Sequence, residues 1–280
     1  MSNTLIFYEK EEESESIGKV IGSIVINTKK MPINEEADSF SNYKNMIVIT
    51  TYHNARTSIE KIKNNVSLHS RLSNLILVLT GEKKKEQQED FQPLLREINK
   101  EAHIKVIFIE AQENVPQIAA KLAEQINQPE KAMPKDELLE EVEAFLKKHN
   151  TCGLATGAGS FVRCTPIEYE YINGALYIIT EGGNKFVGIL QNPNVSVVVF
   201  EPYTTMAELN GLQIMGTAKL VEANSKEYIE AFHRKGIQEE TLSKLPIDMN
   251  VVKISPVSYE FLSSSFRTKG YDTKQKCSFE

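Results

Sequence analysis

Apolar and polar positions alternate in two different textures along this chain. In the first 126 residues, short continuous runs of branched apolar residues are separated by amphipathic stretches. TLIFY (4–8), MIVIT (46–50), LILVLT (75–80) and IKVIFIE (104–110) are such runs. Their lack of alternation predicts strands covered on both faces. A weaker run, IVIN (24–27), predicts a further strand. Helical spacing predicts helices over about 14–24, 57–66, 86–100 and 114–126. In the last of these, Val115, Ile118, Ala119, Leu122 and Ile126 form one stripe. Strands alternating with helices imply a parallel sheet layered between helices, a doubly wound α/β domain.

The texture changes after NQPEKAMPK (127–135), whose prolines and polarity read as a linker, placed at 129–135. A helix is predicted over 136–150, with Asp136 as its cap and Leu138, Leu139, Val142, Phe145 and Leu146 as its apolar face. Alternating strands follow. CGLAT turns at GAGS into FVRCTPIEYEY, and Asn173-Gly174 turns that segment into ALYIIT. Asn-Gly between alternating runs is a strong hairpin signal. VSVVVF (195–200), LQIMGTAKLV (212–221) and NVVKISPVSYEFL (250–262) continue the pattern, with Pro256 marking an edge or bulge. Two helices, over 225–236 and 238–245, interrupt them. Few helices among antiparallel strands imply a barrel or sandwich. The domains are therefore 1–128 and 136–280.

Composition narrows the partners. The chain has 280 residues, is 41% hydrophobic and 25% charged, and carries a net charge of −6. It has no basic field of the kind that drives nucleic-acid binding and no apolar run long enough for a membrane span. The opening MSNTLIFYEK lacks the pattern of a secretion signal. Three unevenly spaced cysteines, Cys152, Cys164 and Cys277, suit reduced thiols. The expectation is a cytoplasmic protein with no nucleic-acid or membrane partner.

One turn stands out. After the strand ending at Thr180 come two glycines, then Asn184-Lys185, then a short helical pattern ending at Asn192-Pro193. A helix start offers free N–H groups, glycines admit an anion to the backbone, and Lys185 adds a full charge, with Thr180 and Asn184 as further donors. This composes a phosphate cradle; a plain strand-to-helix turn with a solvated lysine has the same spacing. Arg163 lies within a half-buried strand, on the same face as Thr165, with Cys164 on the other. Phosphate would satisfy it bidentately, as would a glutamate at a sheet edge.

The order GLAT (153–156), Arg163, LYIIT (176–180), Lys185, LQNPNVSV (190–197) and GTAKLV (216–221) resembles the pyridoxamine 5′-phosphate oxidase-like family of FMN-binding split barrels, over about 137–262. The resemblance implies FMN at a homodimer interface. It implies Arg163 and Lys185 on the FMN phosphate, with Thr180 and Asn184 donating, and Cys164, Thr165 and Pro166 along the isoalloxazine ring. Gln213 is a looser match near the flavin. Asn192 and Pro193 are structural. Asn184 stands where the oxidases carry a second basic residue, and the C-terminal SSFRTKGYDTKQKCSFE has no Arg-x-His. The cofactor thus carries over while the vitamin substrate does not. The resemblance assigns no catalytic acid or base, and Arg267 or Lys269 near an anionic substrate rests on chemistry alone.

The first half is similar to flavodoxins, yet its first strand-to-helix loop, YEKEEESESIG, carries five glutamates that would repel phosphate. A flavodoxin-like domain without FMN is expected, with Tyr52 and His53 as surface-loop or interdomain residues in the position where a flavodoxin contacts its ring. His149 and Cys152 lack the further pair that a zinc site needs, and His233 reads as a surface or packing residue. EKKKEQQED (82–90) reads as a solvated helix start, and the C-terminal lysines as a loose tail or a flap over a ligand. The leading expectation is an FMN-dependent oxidoreductase acting on a small molecule or redox partner. The alternative is a non-catalytic split barrel that binds flavin or heme, Cys277 being the one late residue able to ligate iron.

Overall fold

The computed structural model describes residues 4–35, 43–65, 72–81, 90–110, 114–242 and 244–279. The chain divides into two compact units, Met1–Gln128 and Pro129–Glu280.

The first unit runs β1 (Thr4–Tyr8), α1 (Glu12–Ile24), β2 (Thr28–Pro32), β3 (Asn45–Thr51), α2 (Ala55–Asn65), β4 (Asn74–Thr80), α3 (Gln92–Ile98), β5 (His103–Ile109) and α4 (Val115–Ile126). The strands form one parallel sheet in the order β2-β1-β3-β4-β5. This is the flavodoxin-like order of a doubly wound sheet. Alternate side chains serve opposite layers. Leu5, Phe7, Met46, Val48, Leu75 and Leu77 pack with Ile59 and Ile62 of α2 and Leu95 and Ile98 of α3. Ile6, Ile47, Ile49, Ile76 and Val78 pack with Ile17 and Ile21 of α1 and Ala119 and Leu122 of α4. Each of the larger of these side chains, alanine apart, contributes about 1.5–3 kcal/mol on burial.

The second strand is not the apolar IVIN at 24–27 but the polar TKKMP at 28–32. Ile24 ends α1, and the N–H of Val25 closes that helix on the carbonyl of Ile21. β2 is an edge strand held by backbone pairing from Thr4↔Thr28 to Tyr8↔Pro32, with Met31 buried. An edge strand pairs on one side only, so its side chains need little apolar pattern. The expected helix start at 82–90 lies outside the described residues except for Asp90.

In the second unit the segment 129–135 is tied to the C-terminal strand. The N–H groups of Glu130 and Lys131 donate to Asp272 Oδ2, and that of Met133 donates to the Gln275 side chain at 2.8 Å. The helix that follows, α5 (Lys135–Lys148), is preceded by Pro134 at the cap position. Asp136 is therefore not the cap; it lies in the first turn with Glu137, where negative charge favours the helix dipole. Leu138, Val142, Phe145 and Leu146 join the barrel core as the stripe requires.

Next come β6 (Thr151–Ala158), β7 (Phe161–Glu168), β8 (Glu170–Ile172), β9 (Ala175–Thr180), α6 (Lys185–Gln191), β10 (Asn194–Phe200) and β11 (Asn210–Leu220). The chain ends with α7 (Lys226–Arg234), α8 (Glu239–Leu242), β12 (Asn250–Ser263) and β13 (Lys274–Ser278). The antiparallel sheet follows the path β7-β6-β10-β11-β12-β9-β8, with β13 on β12. Asn173 and Gly174 take φ of 49° and 83°, the left-handed pair that a tight hairpin demands. Pro256 lies at a bulge, since the β11–β12 register shifts between Met215 and Gly216. The C-terminal lysines are neither loose nor a flap: Lys274 and Lys276 lie on β13, both paired with Glu260. β7 also comes against β9, so the sheet curls until its ends approach across a seam. The architecture is an α/β doubly wound domain followed by a split barrel.

Candidate functional site at the barrel seam

The seam is where β7 meets the turn between β9 and α6, and α6 lies against both β6 and β7. Lys185 is the first residue of α6 and is only 6% exposed. Its ammonium donates to the carbonyl of Gly182. Gly182 and Gly183 take φ of 144° and 105°, a path closed to most other residues, which folds that carbonyl back toward the lysine. Burial holds the Lys185 ammonium below the usual lysine range; Glu181 opposes this shift, and the Arg163 guanidinium adds to it. The two cations thus feel each other across the seam.

Arg163 is exposed on β7, with its Nε donating to Thr165 Oγ1 at 3.3 Å. Among the described residues it makes no ion pair with a carboxylate. Directly opposite Arg163 on β6 is Thr156. Paired residues share a face, so the Thr156 side chain points to the same side. Its hydroxyl is buried and has no hydrogen-bond partner among the described residues. Sequence reasoning missed it; the strand pattern shows that residue 156 faces inward but not which residue it opposes. Gly188, one turn beyond Lys185, lets α6 settle onto this strand. A Cβ there would lie 2.7 Å from Thr156 Cβ and 2.9 Å from the Gly157 nitrogen.

The structure brings five of the eight expected residues to this locus: Arg163, Thr165, Thr180, Asn184 and Lys185. Their donor capacity is smaller than the sequence implies. The N–H groups of Phe186 and Val187 are taken by the carbonyls of Gly183 and Asn184, leaving side chains rather than the helix start as the main anion donors. The Thr180 hydroxyl is buried and turns toward Gly182, accepting its N–H at 3.4 Å and lying 3.3 Å from its carbonyl. Asn184 is exposed, and its side chain makes no cap bond. Asn192 is structural, donating to the Gly157 carbonyl at 3.2 Å.

The other three lie on the opposite face of the sheet. Pro166, Gly153, Val198 and Gln213 form one cross-strand row, and Cys164 shares that face from its pairing with Ala155. Cys164, Pro166 and Gln213 are exposed there. Also on this face are Val162, Phe200 and Met215, which are 83%, 66% and 51% exposed. Small residues, Gly153, Ala155 and Gly157, lie between them on β6.

Several other expectations find different surroundings. Cys277 is buried in the barrel core rather than open to an iron. Cys152 is buried, which pushes its thiol up to about 12, and His149 bonds to Glu201 at 3.1 Å. Lys269 is paired with Glu141, leaving Arg267 exposed. Tyr52 packs against the rings of Phe91 and Phe108, while His53 is exposed.

Residues 138–263 match the family model of pyridoxamine 5′-phosphate oxidase. The second unit belongs to the pyridoxamine 5′-phosphate oxidase-like split-barrel family. A search of curated proteins found no match to the chain. Among solved structures, ChuZ from Campylobacter jejuni is 18% identical, covering 59% of this chain and 66% of its own, with a TM-score of 0.42. An FAD-binding protein from Mesorhizobium loti is 18% identical over 43% of this chain and 89% of its own, with a TM-score of 0.37. HutZ, the heme storage protein of Vibrio cholerae, is 19% identical over 42% of this chain and 88% of its own, with a TM-score of 0.36. None is similar enough to carry a functional argument.

Proposed function

We propose that the second unit binds FMN at the seam and acts, as a homodimer, as an FMN-dependent oxidoreductase on a small molecule or redox partner. One observation carries this reading: a buried lysine and a nearby arginine share the seam, and among the described residues no carboxylate lies within ion-pair distance of either, Glu181 acting on the lysine only from further off. Keeping a desolvated ammonium beside a second cation is costly unless an anion neutralises both. The orphaned Thr156 hydroxyl beneath them is a further sign of a polar group still to be satisfied.

Arg163 and Lys185 would hold the phosphate, with Thr165 and Asn184 adding neutral donors. β7 is the end strand of the sheet path, so among the described residues no strand pairs with its outer edge, and residues 164–166 there could line the isoalloxazine. The bound flavin supplies the redox chemistry, and the protein binds it, orients it and keeps water from it.

Homodimerisation accounts for the two faces. One copy cannot wrap Cys164, Pro166 and Gln213 around a ligand held on the opposite face by Arg163 and Lys185. A second copy can present its own. Val162, Phe200 and Met215 form the kind of exposed apolar stripe that an isologous contact covers.

The test is a visible spectrum of the purified protein followed by FMN titration. Flavin absorption, and a loss of affinity in Arg163→Ala and Lys185→Ala, are expected. Undiminished FMN affinity in the double variant would refute the phosphate assignment. Reduction of the bound flavin by candidate donors, with turnover, separates an oxidoreductase from a barrel that only stores flavin. A Soret band in place of flavin absorption would identify a heme protein.

A further inference from the structure

The order β2-β1-β3-β4-β5 puts the switch point of the first unit between β1 and β3. In doubly wound sheets, the crevice outside the carboxyl ends of those strands is where ligands bind. Here it already holds an anion from the chain itself. Glu9 follows β1, and its Oε2 accepts the Thr50 hydroxyl at 2.9 Å, the Thr51 N–H at 3.1 Å and the Thr51 hydroxyl at 3.3 Å. Its Oε1 accepts the Asn54 side-chain amide at 2.5 Å. Thr50 and Ser58 are buried, and their hydroxyls lie 3.0 Å apart, so the donor set is supported from α2.

Among the described residues Glu9 has no lysine or arginine partner. Its carboxylate oxygens are met by neutral donors converging from one strand end and the following turn. Oxyanions are held in this way at strand-to-helix turns, by charge-assisted bonds to backbone and hydroxyl groups. Capping α2 would take one acceptor; this carboxylate accepts from four donors. Glu11, Glu12 and Glu13 line a neighbouring cleft, where their charges oppose entry of a second anion.

We infer that Glu9 is an internal ligand: it occupies a carboxylate-sized anion site at the switch point and closes the first unit to phosphorylated ligands. This inference is independent of how the barrel binds its cofactor.

The test uses the full chain carrying Arg163→Ala and Lys185→Ala, so that the barrel seam cannot take up the probe. In this background, Glu9→Ala is expected to melt several degrees lower. Sodium formate should restore the midpoint saturably, while sodium chloride at equal ionic strength should not. With Glu9 present, formate should change nothing. An unchanged midpoint in Glu9→Ala, or an equal response to both salts, overturns the proposal. Saturable stabilisation by inorganic phosphate with Glu9 present also overturns it, since the site would then be open to phosphate despite Glu9. If Glu9→Ala does not fold, Glu9→Gln retains the shape but loses the charge. Amide exchange at Thr51 should then quicken about tenfold, and unchanged protection counts against the internal ligand.

Discussion

Arg163 lies on β7 at one end of the barrel's sheet path, and the ammonium of Lys185, just past β9 near the other end, is held at a lower pKa in part because of it. The two are neighbours only because the sheet closes on itself. Lys185→Met keeps most of the buried stem and removes the charge. It should weaken FMN binding by about 1.5–3 kcal/mol, the range for a hydrogen bond to a charged group. Arg163→Ala should cost a similar amount. Flavin fluorescence quenching measures both.

Burial of Lys185, with a smaller contribution from Arg163, sets a pH dependence. Without ligand, the folded protein binds the Lys185 proton less tightly than the unfolded chain does. Between the depressed folded value and the ordinary lysine value, the unfolded state carries more protons, so this group's contribution to stability rises with pH. Phosphate beside the ammonium reverses the preference, so FMN affinity should fall as pH rises through the folded value. Melting curves of wild type and Lys185→Met, with and without FMN, check the sign; the lysine-linked trend should vanish in the variant.

Gly188 governs how closely α6 approaches β6. A methyl group there meets Thr156 Cβ at 2.7 Å and the Gly157 nitrogen at 2.9 Å, and the backbone partner cannot rotate away. Gly188→Ala should cost about 1–3 kcal/mol, the usual penalty of overpacking. It should also weaken FMN binding by moving Lys185. A melt and an FMN titration on one preparation test both effects.

Thr156 offers a converse experiment. Its buried hydroxyl has no partner among the described residues, which costs about 1–3 kcal/mol. Thr156→Val has nearly the same shape, so the apo protein should be at least as stable as wild type by chemical denaturation. A large destabilisation would mean that the hydroxyl is satisfied.

The exposed stripe predicts the assembly. Phe200→Asp or Met215→Lys places a charge on the face that carries Val162 and Gln213. Either should convert a dimer to monomers by light scattering and lower FMN affinity without lowering the monomer's own stability. A variant that remains dimeric and binds FMN normally would move the interface elsewhere.

Much of the architecture was written in local pattern. Strands of uniform apolar residues identify β1, β3, β4 and β5, and Asn173-Gly174 marks its hairpin, because burial on two faces and left-handed backbone both restrict residue type. β2 and β13 escaped for the converse reason: TKKMP and KQKCS are mostly polar and are held by backbone pairing to a neighbour. The anion donors at the start of α6 were overcounted because carbonyl partners within the turn are invisible in one dimension.

The sequence by itself determined the two textures, the two folds and the residue types suited to phosphate, since periodicities of two and of 3.6 are properties of neighbours along the chain. Tertiary structure alone decided that Arg163 and Lys185 share a seam, that Cys164, Pro166 and Gln213 face away from it, and that Glu9 meets Thr50 and Thr51. Those relations depend on register, sheet closure and the packing of distant strands, and short-range spacing leaves all three open.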